Sequence, residues 1–144
     1  MELPEYVTAD EVRRVCKELK IRDWTGLTEP IQTEEAKIIL AEVNSEGMDI
    51  DPEDFSKGLE VELEHGITFK DANVTNNHPI LTGKIVLAHL KESLDYYKRL
   101  EVAELEGDLL KAVVANDSAK VETLYEKLAR AKLVLSKTES KRLK

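Results

Sequence analysis

Apolar residues recur at helical spacing through most of the chain, and polar capping residues precede several of these segments. Thr8 and Glu11 form a T-x-x-E capping box near the start. It stands ahead of an i, i+3, i+4, i+7 stripe made of Val12, Val15, Cys16 and Leu19. This spacing predicts a first helix that begins after Thr8 and ends near Lys20.

Two more helices are predicted in the first half of the chain. A short second helix covers 36–43, where apolar residues again follow helical spacing. Asp51 followed by Pro52 is typical of a helix start, because proline at the first helical position loses no hydrogen bond. The pattern therefore predicts a third helix over 52–65. Gly66 is expected to end it in a left-handed conformation.

The middle of the chain combines a long connection with a fourth helix. Residues 66–81 are rich in Asn, Asp and Pro, which favours an irregular segment. Thr82 and Gly83 then open a fourth helix that is predicted to run to residue 100. Its continuation into 101–115 stays open, because no proline intervenes.

The C-terminal part of the chain predicts a pair of helices. A tight break at Asn116, Asp117 and Ser118 precedes a last helix. Its apolar residues predict antiparallel pairing with the preceding helix: Val121, Leu124, Tyr125, Leu128 and Leu135 against Leu105, Leu109 and Val113. No strand-like alternation occurs. We therefore predict an all-α fold, a small helical bundle over 1–100 with a C-terminal antiparallel helical hairpin over 101–144.

Charge and composition narrow the classes of function. The 29 acidic and 21 basic residues give a formal net charge of -8, which repels a phosphate backbone, so we expect no nucleic-acid partner. No apolar run approaches the ~18 residues that cross a bilayer, and no signal segment opens the chain. We expect no membrane partner and a cytoplasmic location, with packaging into a virion or other assembly left open. The single cysteine, Cys16, favours a reducing compartment.

The third predicted helix carries charge beside its apolar stripe. Phe55, Leu59 and Leu63 fall within roughly 80° of arc and form its core face. Glu62 lies on the flank of that face, and His65 follows one turn later. Because a buried charge needs a partner, this helix face is a candidate functional site.

The fourth predicted helix repeats the arrangement in reverse order. Ile85, His89, Glu92 and Tyr96 follow i, i+4, i+7, i+11 spacing. His89 and Glu92 thus occupy positions where a purely structural helix would carry leucine. Both helices project a carboxylate and an imidazole, three residues apart, from one face.

Two interpretations of Glu62, His65, His89 and Glu92 remain open. In the preferred one they form a buried polar network, with Glu62 bonded to His89, that fixes how two helices dock. In the other they bind zinc, iron or manganese, because helical bundles use this Glu/His pairing for carboxylate-bridged metals. The candidates that would complete either site are His78, Asp95, Tyr96 and Tyr97.

Two stretches, FSKGLEVELEHG and NVTNNHPILTGKIVLAHLKESLDYYKRL, carry motifs in a fixed order. G-x-x-V-E-L-E-H-G, N-V-T and H-L-x-E-x-x-D-Y-Y follow one another over 55–100, behind the opening TADEVRRVCKELKIRDW. On these motifs the chain resembles a family of small proteins of bacteria, archaea and their viruses, known only as a domain of unknown function. The resemblance implies no activity. It marks further motif positions for testing, Glu64, Gly66, Asn73 and Thr75.

The chain departs from the family pattern in two ways. Leu94 stands where the family pattern has proline, which predicts a straighter fourth helix. The segment 25–51 and the hairpin after Glu101 look like additions to the family core. The added hairpin is a natural surface for self-association or for docking a larger assembly. We therefore favour a non-enzymatic accessory or interaction protein. The alternative is a metal-binding protein with hydrolytic or redox activity.

Overall fold

A computed structural model describes all 144 residues and contains helices but no strand. The six α-helices are α1 (Ala9–Leu19), α2 (Thr33–Val43), α3 (Pro52–Thr68), α4 (Pro79–Glu92), α5 (Tyr96–Val114) and α6 (Ser118–Arg142), with a short 3-10 turn at Lys70–Ala72. The predicted all-α fold is confirmed. None of these helices is long and apolar enough to cross a bilayer.

The chain divides into two compact units, Met1–Glu92 and Ser93–Lys144. The predicted division between residues 100 and 101 falls inside α5. In the first unit α2 packs against both α3 and α4, α3 packs against α4, and α1 contacts α4. The largest apolar side chains of this core are almost entirely buried: Val12, Trp24, Ile39, Phe55, Leu59 and Val86.

The predicted starts of α1 and α3 are confirmed. In both helices the capping side chain accepts a hydrogen bond from a residue two or three positions later in the chain. Thr8 Oγ1 accepts a hydrogen bond from the Glu11 N–H at 3.2 Å. The Asp51 carboxylate accepts one from the Glu53 N–H at 2.7 Å, and Pro52 is the first residue of α3. These bonds satisfy amide groups that have no partner within the helix.

The predicted end of α3 at Gly66 is wrong, because the helix continues to Thr68. Gly66 is buried and does not adopt a positive φ. A Cβ atom at this position would lie 2.6 Å from Cγ of Asn73. Glycine is therefore needed here for the close approach of another segment, and not for a left-handed turn.

The fourth helix begins earlier than predicted, at Pro79 instead of Thr82. The ring of His78 caps it, since Nδ1 accepts hydrogen bonds from the N–H groups of Ile80 at 3.2 Å and Leu81 at 3.4 Å. Burial lowers the pKa of His78, which favours the neutral ring that this acceptor role requires. The predicted connection 66–81 is accordingly reduced to residues 69–78.

The prediction of one straight helix through residue 100 is also wrong. The fourth helix α4 ends at Glu92, and α5 begins at Tyr96. Asp95 directly precedes α5, and its side chain accepts hydrogen bonds from the Ser93 hydroxyl before the break and from Arg99 in the first turn of α5. The absence of proline at Leu94 does not make the segment straight.

The predicted antiparallel hairpin is confirmed, with α5 and α6 packed along each other. The turn between them contains Asn116 at a φ of 54°, and the Asp117 carboxylate accepts a hydrogen bond from the Lys120 N–H at 3.1 Å. The buried seam between the helices consists of Ala112, Leu124, Leu128 and Ala131. Val113 and Tyr125, which were predicted to pair across it, are exposed instead. Gly107 does not interrupt α5.

We expect Gly66→Ala to lower the free energy of unfolding of the first unit by about 1 to 2 kcal/mol, although alanine is the better helix former. The added methyl group would displace the Asn73 amide. Urea unfolding followed by fluorescence of Trp24, the single tryptophan, measures the change.

Gly107→Ala is the matched control. A Cβ there meets nothing within 4 Å, so this change should stabilise α5 by about 1 kcal/mol and leave the Trp24 transition unaltered. In an Asn73→Ala background, Gly66→Ala should lose most of its cost. An equal cost in both backgrounds would show that contact with Asn73 is not the reason for glycine.

Candidate functional site

The structure brings Glu62 and His89 together across the packed pair α3 and α4. Glu62 Oε1 lies 3.5 Å from His89 Nε2, and the two side chains are 15% and 32% exposed. At this separation the pair interacts as an ion pair when the imidazole is protonated. It lies at the edge of the α3 and α4 contact, where it can orient the two helices.

The other two members of the predicted cluster do not join this pair in a metal site. His65 and Glu92 are both exposed to solvent. No three His, Cys, Asp or Glu side chains of the chain converge in a way that could hold a metal ion. Because structural zinc sites use four protein ligands and catalytic sites three, the arrangement does not fit the predicted zinc, iron or manganese centre.

His65 is separated from the pair by its angular position on α3. The buried face of the C-terminal half of this helix consists of Leu59, Leu63 and Gly66. His65 lies about 100° around the helix from Gly66 and is turned toward solvent. Glu64 is exposed as well.

Three of the predicted motif positions, Gly66, Asn73 and Thr75, meet in one network. Asn73 Nδ2 donates to Asn77 Oδ1 at 2.9 Å, and the Thr75 hydroxyl donates to Asn73 Oδ1 at 3.4 Å. Asn77 Nδ2 in turn donates to the main-chain oxygen of Trp24 at 3.2 Å. The network ties the segment after α3 to the connection between α1 and α2.

Sequence reasoning missed the roles of Asn76 and Asn77 in this network. Both adopt positive φ values, 49° and 61°. Asparagine enters this region more readily than other non-glycine residues, so the Asn-Asn pair was the available signal. Asn76 Nδ2 donates to Val7 O and to Glu5 Oε1, both at 3.2 Å, which fixes the N-terminal segment.

The remaining candidates, Asp95, Tyr96 and Tyr97, lie in the second unit. The Asp95 side chain is 1% exposed. Its carboxylate accepts hydrogen bonds from Arg99 Nε at 3.0 Å, from Arg99 Nη2 at 2.9 Å and from Arg142 Nη1 at 3.3 Å. These bonds lower the pKa of Asp95 to about 2, with Arg99 as the main cause. Asp95 therefore joins the first turn of α5 to the last turn of α6. The rings of Tyr96 and Tyr97 pack edge to face beside it, with centroids 5.1 Å apart.

The hairpin also exposes apolar side chains along one side. A hollow of about 500 Å³ near its turn is lined by Val113 of α5 together with Val121 and Tyr125 of α6. Leu110 lies one turn before Val113, and Leu133 continues the row from Tyr125. We call Leu110, Val113, Tyr125, Ala129 and Leu133 the hairpin side surface. All five are exposed.

Comparison with known proteins identifies a family. A family model described as "Protein of unknown function (DUF5661)" matches residues 12–106. The matched range contains the Glu62 and His89 pair, the asparagine network and the first part of α5, whereas all of α6 lies outside it. It also includes 25–51, so the expectation that this segment is an addition to the family core is wrong. No curated protein and no solved structure matches the chain.

We expect Glu62→Gln to cost about 1 kcal/mol of stability, because the pair with His89 is partly exposed. A chelator such as EDTA should leave the melting temperature of both the wild type and the variant unchanged. Thermal unfolding with and without EDTA measures this. A wild-type melting temperature that falls with EDTA and recovers with zinc, iron or manganese would contradict the structural interpretation.

We expect the hairpin to lose about 2 kcal/mol of stability as the pH falls from about 4 to about 2. The pKa of Asp95 is depressed from 3.8 to about 2 in the folded state, so its contribution is present above the unfolded pKa and disappears as the carboxylate is protonated. Circular dichroism melts across this pH range measure the loss.

Asp95→Asn should remove this pH dependence and cost a similar amount of stability at pH 7. Asp108→Asn is the control, because Asp108 pairs only with the exposed Lys111 on the same helix, at 3.3 Å. The stability lost in Asp108→Asn should stay below about 0.5 kcal/mol. Equal losses for the two variants would show that Asp95 does not hold the helix ends together.

Proposed function

Because the chain belongs to the family described as "Protein of unknown function (DUF5661)", whose description assigns no activity, we propose a function from the surfaces of the molecule. The protein is a non-enzymatic accessory protein that self-associates through its C-terminal hairpin. The observation that carries this proposal is the row of exposed apolar residues in the hairpin side surface. We place the assembly in a reducing cytoplasm, since Cys16 lies buried without a disulfide partner.

The hairpin has a second apolar stripe beside the seam that it already buries. The seam residues Leu124, Leu128 and Ala131 face α5, whereas Tyr125 remains 66% exposed. Leu110 on α5 is 65% exposed. A helix with one stripe against its neighbour and another exposed is typical of a four-helix bundle divided between two chains. A second hairpin would bury both exposed stripes.

The charge distribution favours a second copy over a partner of one charge sign. The stretch 101–108 of α5 carries four acidic residues and no basic one. The stretch 127–142 of α6 carries six basic residues and one acidic residue. Two copies that place α5 of one against α6 of the other bring opposite charges together on both sides of a symmetric interface.

We expect the wild-type protein to form dimers at micromolar concentration and Tyr125→Glu to weaken dimerisation by about thirtyfold, because it places a charge in the centre of the apolar row. Sedimentation velocity over a range of protein concentrations measures the dissociation constant.

Val134→Glu is the matched control. Val134 is also exposed, at 49%, but nine residues separate it from Tyr125, so it lies on the opposite face of α6. This variant should dimerise like the wild type. The proposal fails if the wild type is monomeric up to about 100 µM, or if both variants weaken association equally.

A further inference from the structure

A groove crosses the first unit between the C-terminal half of α3 and the connection that joins α1 to α2. It consists of two adjoining hollows of about 240 and 460 Å³. Both hollows are lined by Leu27, Thr28 and Ile67, so they form one continuous depression. The groove lies in the part of the chain that the family model matches.

One end of the groove carries amide groups and the amine of Lys70. Asn73 and Asn77 line it, and each donates one amide hydrogen within the asparagine network. A side-chain amide has two hydrogens, so each residue keeps one donor for another acceptor. Thr28 adds a hydroxyl group. Amide and hydroxyl donors beside an apolar floor are suited to the carbonyl groups of an extended peptide.

The other end of the groove is acidic. Glu29, Glu60 and Glu64 line the smaller hollow. Glu60 Oε1 accepts a hydrogen bond from the Ile31 N–H at 2.9 Å, which leaves its second oxygen available. The rest of the first unit adds to the negative electrostatic potential at this end, because residues 1–92 contain 20 acidic and 10 basic residues. A cationic side chain is therefore favoured here, and a phosphate backbone is disfavoured.

The floor between the two ends is apolar and partly open to solvent. Leu27 and Leu63 are buried, whereas Ile67 in the last turn of α3 is 43% exposed. An apolar side chain placed on Ile67 would remove this surface from water.

The walls of the groove are fixed by contacts behind it. Arg22 Nη2 donates to Pro30 O at 2.9 Å and to Glu35 Oε2 at 2.6 Å, which holds the 26–31 wall. On the other side of the groove, Asn77 Nδ2 donates a hydrogen bond to the main-chain oxygen of Trp24. A groove that is formed before binding loses less ordering entropy when a ligand enters.

We propose that this groove binds an extended segment of a partner protein that carries a basic residue close to an apolar one. The basic side chain lies over Glu29 and Glu64, the apolar side chain packs on Ile67, and main-chain carbonyl groups accept hydrogen bonds from Asn73 and Asn77. The complementary charge of the acidic end selects this occupant. The inference does not depend on the hairpin, because every residue of the groove lies in the first unit.

The test is selection of peptides of about twelve residues from a random library displayed on phage, with the full-length protein as bait. We expect enriched peptides to combine Lys or Arg with a nearby apolar residue. Fluorescence anisotropy of labelled peptides then measures binding to variants of the full chain. Glu64→Lys should weaken binding by about tenfold, and added salt should weaken binding to the wild type.

Glu42→Lys is the matched control, because Glu42 is exposed on α2, outside the groove, and the variant has the same net charge as Glu64→Lys. It should bind within about twofold of the wild type. Ile67→Ala tests the floor without adding charge and should also weaken binding.

Two outcomes overturn the proposal. One is the absence of any enriched peptide, and the other is equal binding to Glu64→Lys and Glu42→Lys. Loss of binding in Tyr125→Glu with full binding in Glu64→Lys would place the peptide on the hairpin and would likewise overturn it. Circular dichroism of each variant confirms that the helices are retained.

Discussion

The buried carboxylate of Glu35 holds the connection between α1 and α2 in place, and the shape of the first unit depends on it. It accepts hydrogen bonds from Arg22 N at 3.1 Å, Nε at 3.0 Å and Nη2 at 2.6 Å, and from the Gln32 N–H at 3.2 Å. Burial alone would raise the pKa of Glu35, but these donors outweigh it and the pKa is lowered. The carboxylate is therefore charged at neutral pH. Because Arg22 also binds Pro30 O, a single ion pair between Arg22 and the buried Glu35 fixes the cap of α2 and a wall of the groove.

An element of this fold could be predicted when the contact that determines it joins residues close together in the sequence. The starts of α1 and α3 follow from Thr8 and Asp51, whose partners lie within three residues. Gly66 carries the same local signal as a helix end. Its actual role comes from packing against Asn73, and no spacing in the sequence indicates which segment returns to cover a glycine. Local capping could therefore be predicted from the sequence, whereas the close approach of two distant segments could not.

The candidate site shows the same limit. Helical spacing placed Glu62 and His89 on inward-looking faces, and these two side chains do meet. The extension of that stripe to Tyr96 assumed one continuous helix. The helix instead breaks at 93–95. One partner of Asp95 in this break, Arg142, is 47 residues away in sequence. A partner at that distance could not be identified from composition, so the break and the role of Asp95 had to come from the structure.

The two units carry different charge, and this difference suits different tasks. Residues 1–92 contain 20 acidic and 10 basic residues, whereas residues 93–144 contain 9 and 11. The acidic groove and the self-association that we propose for the hairpin therefore belong to different units of the chain. The dimer that we propose would carry two grooves, and a partner with two basic segments would gain the effective concentration of linked sites. Each groove then needs only modest affinity, which agrees with its small size and open floor. Self-association and peptide binding would thus act together.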